Sequence, residues 1–223
     1  RLVTPPWKLY EKSQGEPNKL VKKPLEIFRD RRNSAGFDLT NEFVLAKLEQ
    51  ALNQAKIENA TSLTLLSDAK HEPAHQVVNP ANLAYIVGEA SFLQTAEAAR
   101  VFEVANNQQW QAISAAEKAN ILRKAADLYE ENHGLLMKLA VTEAGKTLPN
   151  AIAELREAVD FLRYYANQLE RLANHQQLAE ARGKILCISP WNFPLAIFTG
   201  QVAASLAAGN AVVAKPAEQT SLI

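Results

Sequence analysis

Residues 184–223 read KILCISPWNFPLAIFTGQVAASLAAGNAVVAKPAEQTSLI, and their pattern is that of a β-α-β unit. Residues 184–189 (KILCIS) are an apolar run, as expected of a strand buried on both faces. Residues 190–194 turn the chain, and residues 195–208 are apolar nearly all round, which suits a helix buried between a sheet and other elements. Gly209 and Asn210 end that helix, and residues 211–214 make a second buried strand. A crossover of this kind makes the strands parallel and the connection right-handed. Ligands of such sheets bind beyond the carboxyl ends of the strands. Two polar clusters stand there: Trp191 with Asn192, and residues 215–220.

Outward from this unit the chain reads as helical. A helix from about residue 150 to 172 puts Ile152, Leu155, Val159, Leu162, Tyr165 and Leu169 on one side. Before it, Ser114 and Glu117 have the spacing of a capping box, and the helix they open presents Ile121, Leu122, Ala125, Leu128 and Tyr129. That helix is expected to stop at Asn132-His133-Gly134, with the glycine in a left-handed cap, and a shorter helix runs from Leu135 to Gly145. Thr95 is expected to cap another amphipathic segment. Further upstream, Val77-Val78 and residues 84–87 read as two strands around the turn at residues 79–82, and residues 62–66 (SLTLL) as a short strand. Asp38 or Thr40 caps a helix whose apolar residues Val44, Leu45, Leu48, Ala51, Leu52 and Ala55 recur at three- and four-residue spacing. The first 35 residues, rich in proline and charge, read as an arm or linker. No repeat of fixed period appears.

Composition narrows the function classes. The 223 residues make one large domain or two small ones, and 48% hydrophobic with 22% charged residues excludes wholesale disorder. Lysine plus arginine (24) equals aspartate plus glutamate (24), which argues against a module that works by neutralising nucleic-acid phosphates. One cysteine excludes an internal disulfide and a multi-cysteine zinc site, and none of the eight glycines forms GxGxxG or a P-loop. The polar, proline-broken N-terminus does not read as a signal peptide. Residues 185–214 carry no charge, but Pro190, Pro194, Gln201 and Gly209 interrupt them too often for a membrane span.

A few side chains are placed for chemistry. Lys215 and Glu218 are spaced to meet the hydroxyls of a ribose, or to form a solvated ion pair. Asn192 begins the crossover helix, where exposed N–H groups and the helix dipole favour negative charge. Its amide either donates to a developing oxyanion or caps the helix. Cys187, inside an apolar strand, reads as a small hydrophobe rather than a nucleophile. His71, His75, His133 and His175 form no metal-binding pair, since Pro73 breaks the i, i+4 spacing of the first two.

The run ILCISPWNFPLAIFTGQVAASLAAGNAVVAKPAEQTSLI resembles the start of the cofactor domain of the aldehyde dehydrogenase superfamily, and EAGKT followed by AIAELREAVDFLRYYANQ resembles the helix before it. More narrowly, RRNSAGFDLTNE and PAEQT are similar to the bifunctional proline utilization A family, which joins a flavin-dependent proline dehydrogenase to a glutamate-semialdehyde dehydrogenase. The resemblance implies an α/β fold: a helical N-terminal region leading into the first β-α-β unit of a Rossmann-like cofactor domain. Residues 1–72 would be an arm resembling the segment between the two enzymes, and residues 73–223 the N-terminal part of the dehydrogenase. The implied reaction is NAD-dependent oxidation of L-glutamate γ-semialdehyde to glutamate in proline catabolism. Asn192 matches the family's oxyanion donor; Ile188, Ser189, Pro190 and Trp191 match the wall beside the cofactor. Lys215 and Glu218 match its adenosine-ribose contacts, and Glu157 a position on the substrate-channel helix.

The resemblance also implies that the catalytic cysteine, the general-base glutamate and the pyrophosphate-binding turn lie downstream of Ile223, so that this portion alone is not expected to turn over substrate. FAD would belong to an upstream proline dehydrogenase domain. The implied setting is a bacterial, cytoplasmic homo-oligomer at most peripheral to the membrane, acting on a small molecule and with no nucleic-acid binding visible in this segment. Two other readings are a non-catalytic helical interaction module and an aldehyde dehydrogenase of different substrate preference.

Overall fold

A computed structural model describes residues 4–13, 20–57, 60–62, 66, 68–106, 108–178 and 180–223. The chain divides into two units, residues 1–33 and 34–223. The first holds helix α1 (Pro6–Ser13) and a short 3-10 turn, Pro24–Glu26, with proline at its start where no N–H is needed. Asn33 closes this turn on itself: its backbone N–H donates to the Leu25 carbonyl (3.1 Å) and its side-chain amide to the Pro24 carbonyl (2.9 Å).

The second unit opens with α2 (Glu42–Gln54), then strands β1 (Ala60–Ser62), β2 (His75–Asn79) and β3 (Asn82–Ala90). Helices α3 (Ala98–Val104), α4 (Gln108–Ala112), α5 (Ala115–Glu131), α6 (His133–Thr142) and α7 (Leu148–Asn174) follow, and the chain ends in β4 (Lys184–Ile188), α8 (Ala196–Ala207) and β5 (Ala211–Lys215). Helix α2 is capped by Asn41 rather than by Asp38 or Thr40; Asn41 Oδ1 accepts from the N–H groups of Phe43 (3.0 Å) and Val44 (3.3 Å). Asp38 instead accepts from Thr40, tightening the turn before it. Strands β2 and β3 pair antiparallel around their tight turn as expected, with β1 added parallel to β3. Only Ser62 of the strand expected at residues 62–66 lies in β1, and residues 63–65 fall outside the described residues. Thr95 begins a 3-10 turn, and among the described residues its side chain makes no capping hydrogen bond.

The Ser114–Glu117 capping box forms, with reciprocal bonds of 3.2 and 2.9 Å. The end of α5 differs from expectation. Asn132 closes it, donating its side-chain amide to the Leu128 carbonyl (2.8 Å), so no left-handed glycine is required. Gly134 lies inside α6 for another reason: a Cβ there would sit 2.6 Å from the carbonyl oxygen of Ala51, so glycine lets α6 and α2 approach closely.

Helix α7, about 40 Å long at 1.5 Å per residue, is the spine of this unit. Its buried Leu155, Val159, Leu162 and Leu169 pack in one core with Leu48 of α2, Leu122 of α5, Met137 of α6 and Ala203 of α8. Each such large side chain contributes about 1.5–3 kcal/mol on burial. Among the described residues no helix is long and apolar enough to cross a membrane.

Strands β4 and β5 are parallel, from Lys184 opposite Ala211 to Ile188 opposite Lys215, with α8 between them in sequence. The expectation that the first strand is buried on both faces is corrected. Side chains alternate along a strand. Cys187 faces α8 and is buried, whereas Leu186 and Ile188 remain 46% and 58% exposed because α8 lies on one face of the pair.

Glu143, the residue that caps α6, has a buried carboxylate that accepts from the N–H groups of Leu222 (2.8 Å) and Ile223 (3.0 Å). Burial pushes its pKa from the ordinary 4.5 up to about 7, against the pull of those backbone bonds. The folded chain therefore holds a proton that the unfolded chain has lost between these values, and stability falls as pH rises through that window. Urea denaturation is expected to show a loss of roughly 1–3 kcal/mol between about pH 5 and 8, at about 1.4 kcal/mol per unit of pKa. The slope should flatten in Glu143→Gln; an equal slope in both proteins would overturn the assignment.

Candidate active site

The carboxyl ends of β4 and β5 are tied together where the first strand gives way to its turn. Ser189 N–H donates to the Lys215 carbonyl (3.1 Å), extending the ladder by one bond. Gln201, on α8, donates its amide to the Ile188 carbonyl (3.2 Å), and the Ser189 hydroxyl donates to its oxygen (3.5 Å). Ser189 is buried, Pro190 half-buried, and Trp191, Asn192 and Phe193 are exposed on the turn. Pro194 and Leu195 then return to the interior. The turn is thus a short exposed loop held at both ends.

Asn192 does not begin the crossover helix. Helix α8 starts at Ala196, and Leu195 precedes it without a side-chain cap. The cap comes from α7: Glu154 Oε1 accepts from the N–H groups of Leu195 (2.8 Å) and Ala196 (3.2 Å), a carboxylate at the positive end of the helix dipole. Lys146, between α6 and α7, pairs with Glu154 Oε2 (2.8 Å), donates to the Asn192 carbonyl (2.7 Å) and lies 4.7 Å from the centre of the Phe193 ring. Lys146, Glu154 and Gln201 hold this turn, and the motif reading missed all three. One signal was available: Glu154 stands among the apolar positions of α7, beside Ile152 and Leu155, where a charge requires a partner.

At the end of β5 the Lys215 ammonium and the Glu218 carboxylate form an ion pair at 2.5 Å, both side chains about half exposed. The hydrogen bond from Lys215 holds the Glu218 carboxyl below the usual range. A donor and an acceptor side by side at a strand end suit a vicinal diol. Ile188 and Trp191 offer exposed apolar surface at the neighbouring strand end. Ile188 and Ser189 are therefore joined to Lys215 at the strand ends, Pro190, Trp191 and Asn192 follow on the turn, and Glu218 is held by its ion pair with Lys215. Glu157 is exposed on α7, and no hydrogen bond or ion pair among the described residues joins it to this group.

A cleft of about 430 Å³ lies between α7, β4 and α8, lined by Phe161, Tyr165, Leu186, Cys187, Gly200 and Ser205 among others. It is largely apolar, and neither Asn192 nor Lys215 lines it. Cys187 is buried with Sγ 3.6 Å from the Ser205 hydroxyl, in the setting of a packing residue. Among the described residues no cluster of histidine, cysteine and carboxylates could hold a metal ion.

Residues 67–223 match the model of the aldehyde dehydrogenase family. Bifunctional protein PutA of Escherichia coli (strain K12) is 47% identical over 221 residues, which cover 96% of this chain and 16% of PutA. 1-pyrroline-5-carboxylate dehydrogenase of Staphylococcus haemolyticus (strain JCSC1435) is 28% identical over 207 residues, 86% of this chain and 40% of that protein. Among solved structures, proline utilization A from Bdellovibrio bacteriovorus, inactivated by N-propargylglycine, superposes with a TM-score of 0.77 at 29% identity, over 91% of this chain and 22% of that one. A Thermus 1-pyrroline-5-carboxylate dehydrogenase with bound NAD gives 0.76 at 26% identity, over 87% and 41%.

Proposed function

The chain belongs to the aldehyde dehydrogenase family, and we propose that it forms the front of an NAD-dependent dehydrogenase that oxidises L-glutamate γ-semialdehyde to glutamate in proline catabolism. The observation that carries this reading is one juxtaposition: the Asn192 turn and the Lys215–Glu218 pair stand beyond the carboxyl ends of two adjacent parallel strands. The substrate follows from the relatives, which are named for PutA and for 1-pyrroline-5-carboxylate dehydrogenase.

The donor set fits NAD. Lys215 would donate to the adenosine ribose and Glu218 would accept from it, with Ile188 and Trp191 as an apolar wall. When bound, NAD supplies the hydride acceptor. Asn192, exposed on its turn, would donate its amide to the aldehyde oxygen as negative charge develops there. As the family resemblance implies, the nucleophile would come from residues other than these 223; the single cysteine here is buried against α8.

The test is a comparison of cofactors in the enzyme that carries this chain. Glu218 should oppose a 2′-phosphate and accept from a 2′-hydroxyl, and a charge-assisted hydrogen bond contributes about 1.5–3 kcal/mol. A preference for NAD over NADP on the order of tenfold to a hundredfold is therefore expected. Glu218→Ala should narrow it chiefly by improving use of NADP, while Lys215→Ala weakens both cofactors. If the ratio does not move, Glu218 does not read the ribose. If L-glutamate γ-semialdehyde is not oxidised in preference to simple aliphatic aldehydes, the substrate is wrong.

A further inference from the structure

Beyond Ser189 the turn that bears Asn192 is held by a buried ion pair, and we propose that Lys146 and Glu154 are positioning residues that aim Asn192 at the reacting carbonyl. The proposal rests on the reading of Asn192 as the oxyanion donor and extends it to two residues that do not touch substrate.

Three observations converge. Lys146 and Glu154 have side chains only 12% and 1% exposed, so the pair is shielded from solvent. An ammonium has three donors and no acceptor; Lys146 directs two of its contacts to Glu154 Oε2 and to the Asn192 carbonyl, and its charge lies beside the Phe193 ring. Glu154 holds the other side of the turn through the N–H groups of Leu195 and Ala196. Residues 192–196 are therefore fixed at their entry by the lysine and at their exit by the carboxylate that binds that lysine. The Asn192 amide has no hydrogen bond of its own among the described residues, so its direction is set by the backbone that this pair holds.

Misplacing a reacting group by about 1 Å costs on the order of 10²-fold in rate. Lys146→Met, which keeps the length of the side chain and removes its donors, is expected to lower kcat by about 10²-fold with KM for NAD within about twofold. A lysine that only stabilises the fold would not produce that split. The deciding measurement is a double-mutant cycle. With Asn192 already alanine, adding Lys146→Met should change kcat by no more than about threefold, because residues that act as a unit are not additive. Lys146→Arg, able to reach both the carboxylate and a carbonyl, should recover about tenfold of the lost kcat.

Losses that multiply in the double variant, or an undiminished kcat in Lys146→Met beside a slow Asn192→Ala, overturn the positioning role and leave Asn192 in place. A normal kcat in Asn192→Ala overturns the reading of Asn192 itself, and the positioning role with it. Should Lys146→Met fail to fold, Glu154→Gln enters the same cycle: its amide oxygen still accepts from Leu195 and Ala196, but the charge that holds Lys146 is gone.

Discussion

Replacing Asn192 by alanine in the dehydrogenase that carries this chain is expected to lower kcat by about 10²–10³, the cost of one lost oxyanion donor. The affinity for NAD should stay within about twofold, because the interaction is made only as charge develops on the substrate oxygen. Stability should not change, since the side chain is exposed and its amide is bonded to no described residue. Steady-state kinetics with a thermal melt on the same variant decide the matter. A normal kcat would make Asn192 a turn residue and nothing more.

Glu154→Ala is expected to destabilise the fold by about 3–5 kcal/mol, the cost of breaking a buried charge pair from one side. The loss would strand the Lys146 ammonium and free two amides at the head of α8. Glu157→Ala, one turn further along α7 and exposed, should stay within about 0.5 kcal/mol. The comparison is made by urea denaturation, read as the shift in midpoint at constant slope. Equal costs for the two variants would mean that the buried pair contributes no more than a surface carboxylate.

How much of this was legible in the letters depends on how local the determining contacts are. The β4–α8–β5 unit was readable because apolar runs alternate with proline and glycine punctuation over residues 184–215. The Ser114–Glu117 box was readable because both partners lie within one turn. Cap choice at α2 was not, since Asp38, Thr40 and Asn41 are all competent and only the start of the helix selects among them. Gly134 misled because a glycine near a helix end resembles a cap, whereas its cause is the carbonyl of Ala51, far away in sequence. The same holds at the site. Glu154 and Lys146 meet the Asn192 turn from 41 and 46 positions away, and no spacing rule reaches that far. Burial of β4 was overestimated because an apolar run on both faces of a strand says nothing about whether both faces are covered.

The carboxylate at the head of α8 changes what this β-α-β unit asks of a dinucleotide. In the common arrangement the first crossover helix presents bare amides, and phosphate is the first thing it recognises. Here those amides are already satisfied from within by Glu154. An incoming diphosphate would meet like charge at that point instead of a vacancy. On the proposed reading, recognition by this part of the molecule would begin with the sugar, at Lys215 and Glu218, and the phosphates would be held by other groups. The helix end that elsewhere grips the cofactor would here belong to the scaffold of the Asn192 turn.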